Sequence, residues 1–168
     1  MKTRLLLSLL LLLIILPLSI SIEEIPSFSI IKEQEKSIAS IKIKKIQLNQ
    51  PLYKIDSPNN TIEKNVTILK ESILPEKENS IIFLAAHSGT GKIAYFEKLN
   101  LLQVNDEIIF TYKNKKYKYQ IIEIWEEKKT GYININKTKE KQLVLTTCSP
   151  TNKNNQLIIN SIQKESLT

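Results

Sequence analysis

A single cysteine, Cys148, and a single histidine, His87, are all that this 168-residue chain has of either type. One cysteine rules out an internal disulfide, so outside the cell its thiol would stand free. No set of Cys and His residues is spaced to hold a metal ion. The chain also lacks internal repeats and long low-complexity tracts. Its net charge of +7 is spread among interspersed Lys and Glu. That pattern fits a solvated surface, or one lying near anionic lipid or wall polymer, and argues against nucleic acid, which needs a clustered basic stripe. The length allows one domain with an anchor, and not two domains.

The anchor is read from residues 5–22, 18 uncharged and mostly apolar positions. At about 1.5 Å per residue they span roughly 27 Å, enough for a bilayer core. Lys2 and Arg4 precede this segment and Glu23 and Glu24 follow it, which places the N-terminus inside by the positive-inside rule. Ser19-Ile20-Ser21, after Pro17, also has the form of a cleavage site, so a removed signal peptide competes with a retained anchor. Either exports the body of the protein. The reading adopted here is a single-pass cell-membrane protein: a transmembrane segment over residues 1–22 touching lipid through residues 5–22, a linker over residues 23–37, and an extracellular domain over residues 38–168. Within the linker, Pro26 and the charged run Lys32-Glu33-Gln34-Glu35-Lys36 suit either a short helix or an extended spacer.

The remaining chain reads as short strands. Ile38, Ile41, Ile43 and Ile46 alternate loosely with Ser and Lys, predicting a first strand, and Pro51-Leu52-Tyr53 is expected to start a second. Asp56-Ser57-Pro58-Asn59-Asn60 is a turn cluster. Strands follow at residues 66–69 and at Ile81-Ile82-Phe83-Leu84-Ala85. Residues 106–112 and 116–125 form a hairpin around Lys113-Asn114-Lys115. Tyr117 and Tyr119 alternate as cross-strand packing residues. In residues 89–105, Tyr95, Phe96, Leu99 and Leu102 are expected to pack as one helical face. Residues 126–141 form a polar connection, and residues 156–162 a last strand. Many short strands with few helices predict an all-β, nearly closed barrel.

Leu143-Val144-Leu145-Thr146-Thr147-Cys148-Ser149-Pro150 is an apolar, β-branched strand that runs into the cysteine and stops at Pro150. His87 likewise closes an apolar strand, in Leu84-Ala85-Ala86-His87-Ser88-Gly89. Residue type alone leaves two readings: a small buried hydrophobe and a satisfied histidine, or a nucleophile with its base. The surrounding text favours the second. Leu145-Thr146-Thr147-Cys148 resembles the Thr-Leu-x-Thr-Cys signature of the sortases, the cysteine transpeptidases of Gram-positive cell surfaces, with Val144 where that signature has its first Thr. The segment around His87, with Ala94-Tyr95-Phe96, Leu99, Leu102 and Asn105-Asp106-Glu107-Ile108, is similar to the sortase histidine block. His87 precedes Cys148 by 61 residues, a separation like that of the family. The resemblance covers roughly residues 37 to 163 and is nearest to class A and D members.

That resemblance implies an eight-stranded sortase-like β-barrel with short helical connections. It implies that Cys148 attacks the carbonyl between Thr and Gly of a Leu-Pro-x-Thr-Gly-like sorting signal, that His87 protonates the leaving amine, and that an amine on a cell-wall precursor or pilin resolves the thioacyl enzyme. Ala86, Ser88, Thr147 and Ser149, which flank the pair, are expected to contact the substrate. No metal and no organic cofactor are called for. The family's third residue, an Arg on the strand after the cysteine, falls on Gln156 here, before Leu157-Ile158-Ile159. A Gln amide donates a hydrogen bond but brings no charge. Lys153 and Lys92 are candidates to supply charge. The departure leaves an alternative open: a weak or silent sortase-like module for binding or assembly. Papain-like enzymes place Cys before His, and L,D-transpeptidases carry a His-Gly-Cys type segment that is absent here. Glu126 and Glu127, in the connection expected to wall the substrate groove, read as a solvated loop in preference to a calcium or cationic-substrate site.

Overall fold

Alternation of apolar and polar residues at a period of two builds one curved sheet, described over residues 35–167 in a computed structural model. Its eight strands are β1 (Ala39–Ile43), β2 (Leu48–Leu52), β3 (Thr67–Ile68), β4 (Ile81–Ala85), β5 (Glu107–Tyr112), β6 (Lys115–Lys128), β7 (Gln142–Cys148) and β8 (Asn155–Leu167). They are ordered β2-β1-β5-β6-β8-β7-β4-β3, with β2 and β3 at the two edges. All pairings are antiparallel except β4 with β7. The result is an all-β, nearly closed eight-stranded barrel, as the sequence predicts. The hydrophobic segment at residues 5–22 lies outside the described residues, and no helix among those described is long and apolar enough to cross a membrane.

The core is filled by one face of each strand. Ile41 and Ile43 of β1, Ile108 and Phe110 of β5, Tyr119 and Ile121 of β6, and Leu143 and Leu145 of β7 are fully buried. Truncating one of these to Ala would cost about 2–5 kcal/mol. Tyr117 faces Phe110 and Tyr119 faces Ile108 across the β5–β6 ladder, so the tyrosines are packing residues. Burial, and secondarily the neighbouring Tyr117, push the Tyr119 phenol upward and keep it protonated. The turn joining β5 to β6 has Lys113 at φ 47° and Asn114 at φ 65°, both in the left-handed region that a two-residue hairpin of matching twist requires.

Several boundaries differ from the sequence reading, each for a physical reason. β2 ends at Leu52 where a strand is expected to begin, because Leu48–Leu52 pairs with all of β1. The expected helical face at residues 94–102 is only a 3-10 turn, Leu99–Leu101, yet Phe96, Leu99 and Leu102 are buried as anticipated. β6 continues three residues past Trp125, since Glu126, Glu127 and Lys128 pair with Leu157, Gln156 and Asn155 of β8. A register shift between Ile121 and Glu123 breaks the period of two, so Ile124 returns to the core side opposite Ile159.

β7 is buried on both faces from Gln142 to Thr147. The connection over residues 129–141 leads into it, and there Ile133 and Ile135 line a groove with Ile81 and Phe83 of neighbouring β4. Gln142, fully buried, clips that connection down. Its amide donates to the Asn136 carbonyl (3.0 Å) and the Asn160 side chain (3.2 Å), and its carbonyl accepts from the Thr138 amide (3.2 Å). At the opposite corner, Lys45 bonds Asp106 at 2.7 Å. Desolvation alone would raise the Asp106 carboxyl; the Lys45 hydrogen bond, then the Gln103 amide, outweigh it and hold the group below its ordinary range.

Candidate active site

Two strand ends meet because β4 and β7 run parallel. Their register pairs Leu84 with Leu145 and Ala85 with Thr146. Beyond the last pair the link continues through the Thr147 hydroxyl, which donates to the Ala86 carbonyl at 2.7 Å. Counted one step further, the same register would bring His87 level with Cys148. Apolar, β-branched sequence makes both strands, and β7 continues two residues past the level at which β4 ends. The His87 carbonyl is pinned by the Phe96 amide at 3.0 Å. Its imidazole makes no hydrogen bond to another described residue.

Cys148 is the last residue of β7 and is exposed. It opens into a cleft of about 600 Å³ lined by Ser88, Phe96, Glu97, Lys129, Thr147, Ser149, Lys153 and Leu157, among others. The predicted flanking residues divide. Ser88, Thr147 and Ser149 line the cleft, but Ala86 is only 2 % exposed and its side chain belongs to the core behind it. Ser149 has a further duty: its hydroxyl accepts from the amides of Thr151 (3.1 Å) and Asn152 (3.0 Å), setting the turn that follows the cysteine.

Gln156 pairs directly across from Cys148 on β8. Its amide points elsewhere, donating to Glu127 and to the Tyr132 carbonyl, each at 3.0 Å. Glu126 accepts from the Thr151 hydroxyl at 3.2 Å. Both acids are thus engaged by the β7–β8 region, and among the described residues no group of three or more His, Cys, Asp or Glu could hold a metal.

Sequence reasoning missed Lys129. Its ammonium donates to the Cys148 sulfur at 3.1 Å and to the Lys153 carbonyl at 2.7 Å. Lys153 does line the cleft, as its position suggested, while Lys92 is not part of the lining. The signal for Lys129 lies in the long β6–β8 pairing, which carries Lys128 opposite Asn155 and so delivers the next residue to the cysteine turn. Cys148 and Lys129 put a thiol and an ammonium at one cleft, whose lining does not include His87; a thiol beside a cation is an arrangement suited to covalent acyl transfer.

Known proteins share the sequence pattern of this domain and its fold. A family model described as the Sortase domain matches residues 41–162. Sortase A from Corynebacterium diphtheriae, as a lid mutant, superposes with a TM-score of 0.67 at 23% identity, covering 80% of this chain and 73% of that one. A sortase D5 transpeptidase from Clostridium perfringens gives 0.64 at 26% identity, covering 77% and 80%. Streptococcus pneumoniae sortase C gives 0.68 at 19% identity, covering 81% and 73%. No curated protein matches. With the domain match spanning most of its length and the barrel shared with these structures, the chain belongs to the sortase family of cysteine transpeptidases.

Proposed function

We propose that the protein cleaves a Leu-Pro-x-Thr-Gly-like sorting signal between Thr and Gly and joins the new Thr carboxyl to an amine on a cell-wall precursor or pilin. The observation that carries this is the exposed Cys148 at the end of β7, which runs parallel to β4, and His87 follows β4 by two residues. The Cys148 thiolate attacks the Thr carbonyl carbon, and the electron pair moves to the carbonyl oxygen. As the tetrahedral species collapses, the C–N bond breaks and the imidazolium of His87 gives its proton to the departing Gly amine. An incoming amine then attacks the thioester, His87 takes up its proton, and the sulfur leaves as thiolate. Water in place of the amine gives slow hydrolysis. No step calls for a metal or an organic cofactor. Residues 5–22 anchor the chain in the cell membrane with the barrel on the extracellular face.

The pilin-specific sortase C among the structural relatives is described with pilin substrate specificity, and a pilin amine is one of the two acceptors proposed here. Gln156 motivates the second reading, a silent module, because its amide serves Glu127 and Tyr132 and brings no charge to the sulfur. Turnover separates the two. The full-length chain, incubated with Leu-Pro-x-Thr-Gly peptides and an amine acceptor, is expected to give ligated product that disappears in Cys148→Ala and His87→Ala. Peptide binding without product, from folded protein, would favour the silent module.

A further inference from the structure

Lys129 is the first residue beyond β6, and three contacts hold it against the turn that begins at Cys148. Its main-chain amide donates to the Asn154 carbonyl at 2.9 Å. Its ammonium donates to the Lys153 carbonyl at 2.7 Å and to the Cys148 sulfur at 3.1 Å. The turn is itself braced, by the Ser149 amide on the Asn155 carbonyl at 3.0 Å and by the Ser149 hydroxyl. The ammonium is therefore positioned, although its side chain lies at the surface.

The other groups around the sulfur make this cation matter. Gln156, directly opposite, is neutral and turned toward Glu127 and Tyr132. Arg4 is the only arginine of the chain and belongs to the N-terminal segment. His87 lies two residues beyond the end of β4 and does not line the cleft. Lys153 from the β7–β8 turn and Glu97 from the β4–β5 connection line the same cleft, while Glu126 is bound to Thr151 and Glu127 to Gln156. Of the cations, Lys129 alone among the described residues makes a hydrogen bond to the sulfur.

We propose that Lys129 is a catalytic residue of this enzyme. Its ammonium balances negative charge on the Cys148 sulfur and, as acylation begins, on the substrate carbonyl oxygen. It transfers no proton; every proton moves through His87. The sulfur half of the proposal stands without a peptide substrate, and the oxyanion half rests on the transpeptidase reading above.

Two alkylating reagents separate the halves. Iodoacetate is an anion and iodoacetamide is neutral, so the ratio of their rates at Cys148 cancels the ionised fraction of the thiol and reports local charge. In the full-length chain, Lys129→Met is expected to lower that ratio about three- to fivefold, the effect of one unit charge a few ångströms away near water. Lys129→Arg is expected to keep it. Thioacylation by a sorting peptide is expected to fall on the order of 10²-fold in Lys129→Met and to recover in Lys129→Arg. Should Lys129→Met fail to fold, Lys129→Gln retains a donor for the Lys153 carbonyl without the charge and carries the same measurement. An unchanged ratio in the neutral variants overturns the proposal, as does an equal drop in Lys153→Met. A lowered ratio in a protein that acylates no peptide supports the charge placement and counts against the transpeptidase reading.

Discussion

Thr147→Val removes the hydroxyl that ties the end of β7 to the end of β4 while keeping the shape of the side chain. Thr147 is 6 % exposed and Ala86 2 %, so the 2.7 Å bond between them is made away from water. Valine leaves no cavity. The loss is one hydrogen bond plus a buried Ala86 carbonyl without its side-chain donor, together about 1–3 kcal/mol. For a domain of this size each kcal/mol lowers Tm by roughly 4 °C. Thr147→Ser keeps the hydroxyl and loses a methyl group, a smaller cost of about 1 kcal/mol. The two variants thus separate hydrogen bonding from packing. Activity should fall further than stability explains, because the bond ties the residue before Cys148 to the residue before His87, and a misplacement near 1 Å costs on the order of 10²-fold. Thermal and urea unfolding of wild type, Thr147→Val and Thr147→Ser measure the stability term; peptide ligation measures the other. A valine variant as stable and as active as wild type, or a serine variant worse than the valine, would refute the reasoning.

Two other substitutions test the surroundings of the site. Gln142→Leu releases the connection over residues 129–141, leaving the buried Asn160 carbonyl oxygen without the Gln142 donor; it should cost about 1–3 kcal/mol and speed proteolytic cleavage within that connection, read by limited digestion. Asp106 has its carboxyl held below the ordinary value, so its charged form stabilises the fold above the unfolded-state value, and that contribution is lost as pH falls through the folded-state value. Urea unfolding between about pH 5 and pH 2 should therefore show a shallower acid loss for Asp106→Asn than for wild type, and equal slopes would contradict it.

The sequence was most legible where strands are buried on at least one face. Ile81–Ala85 and Gln142–Cys148 are apolar runs bounded by turn residues, and the Cys148 and His87 ends were visible in them. The hairpin at Lys113 and Asn114 was legible from its turn residues. Legibility failed where strands extend past the core. Glu126, Glu127 and Lys128 satisfy their backbones by pairing with β8, which apolar periodicity does not register. Lys129 went unseen for the same reason, since its contact with Cys148 spans 19 residues and is created by that pairing. Ala86 shows the converse: adjacency to His87 in sequence placed it at the site, but strand alternation turns its side chain into the core.

The central claim, that Cys148 forms a thioacyl bond with a sorting signal, is tested most directly by intact-mass spectrometry. The full-length chain is mixed briefly with Leu-Pro-x-Thr-Gly peptides without an amine acceptor, quenched in acid and weighed. The account predicts a mass increase equal to the peptide up to its Thr, located on Cys148 and absent from Cys148→Ala. A folded protein that shows no such adduct with any peptide of the series would contradict it.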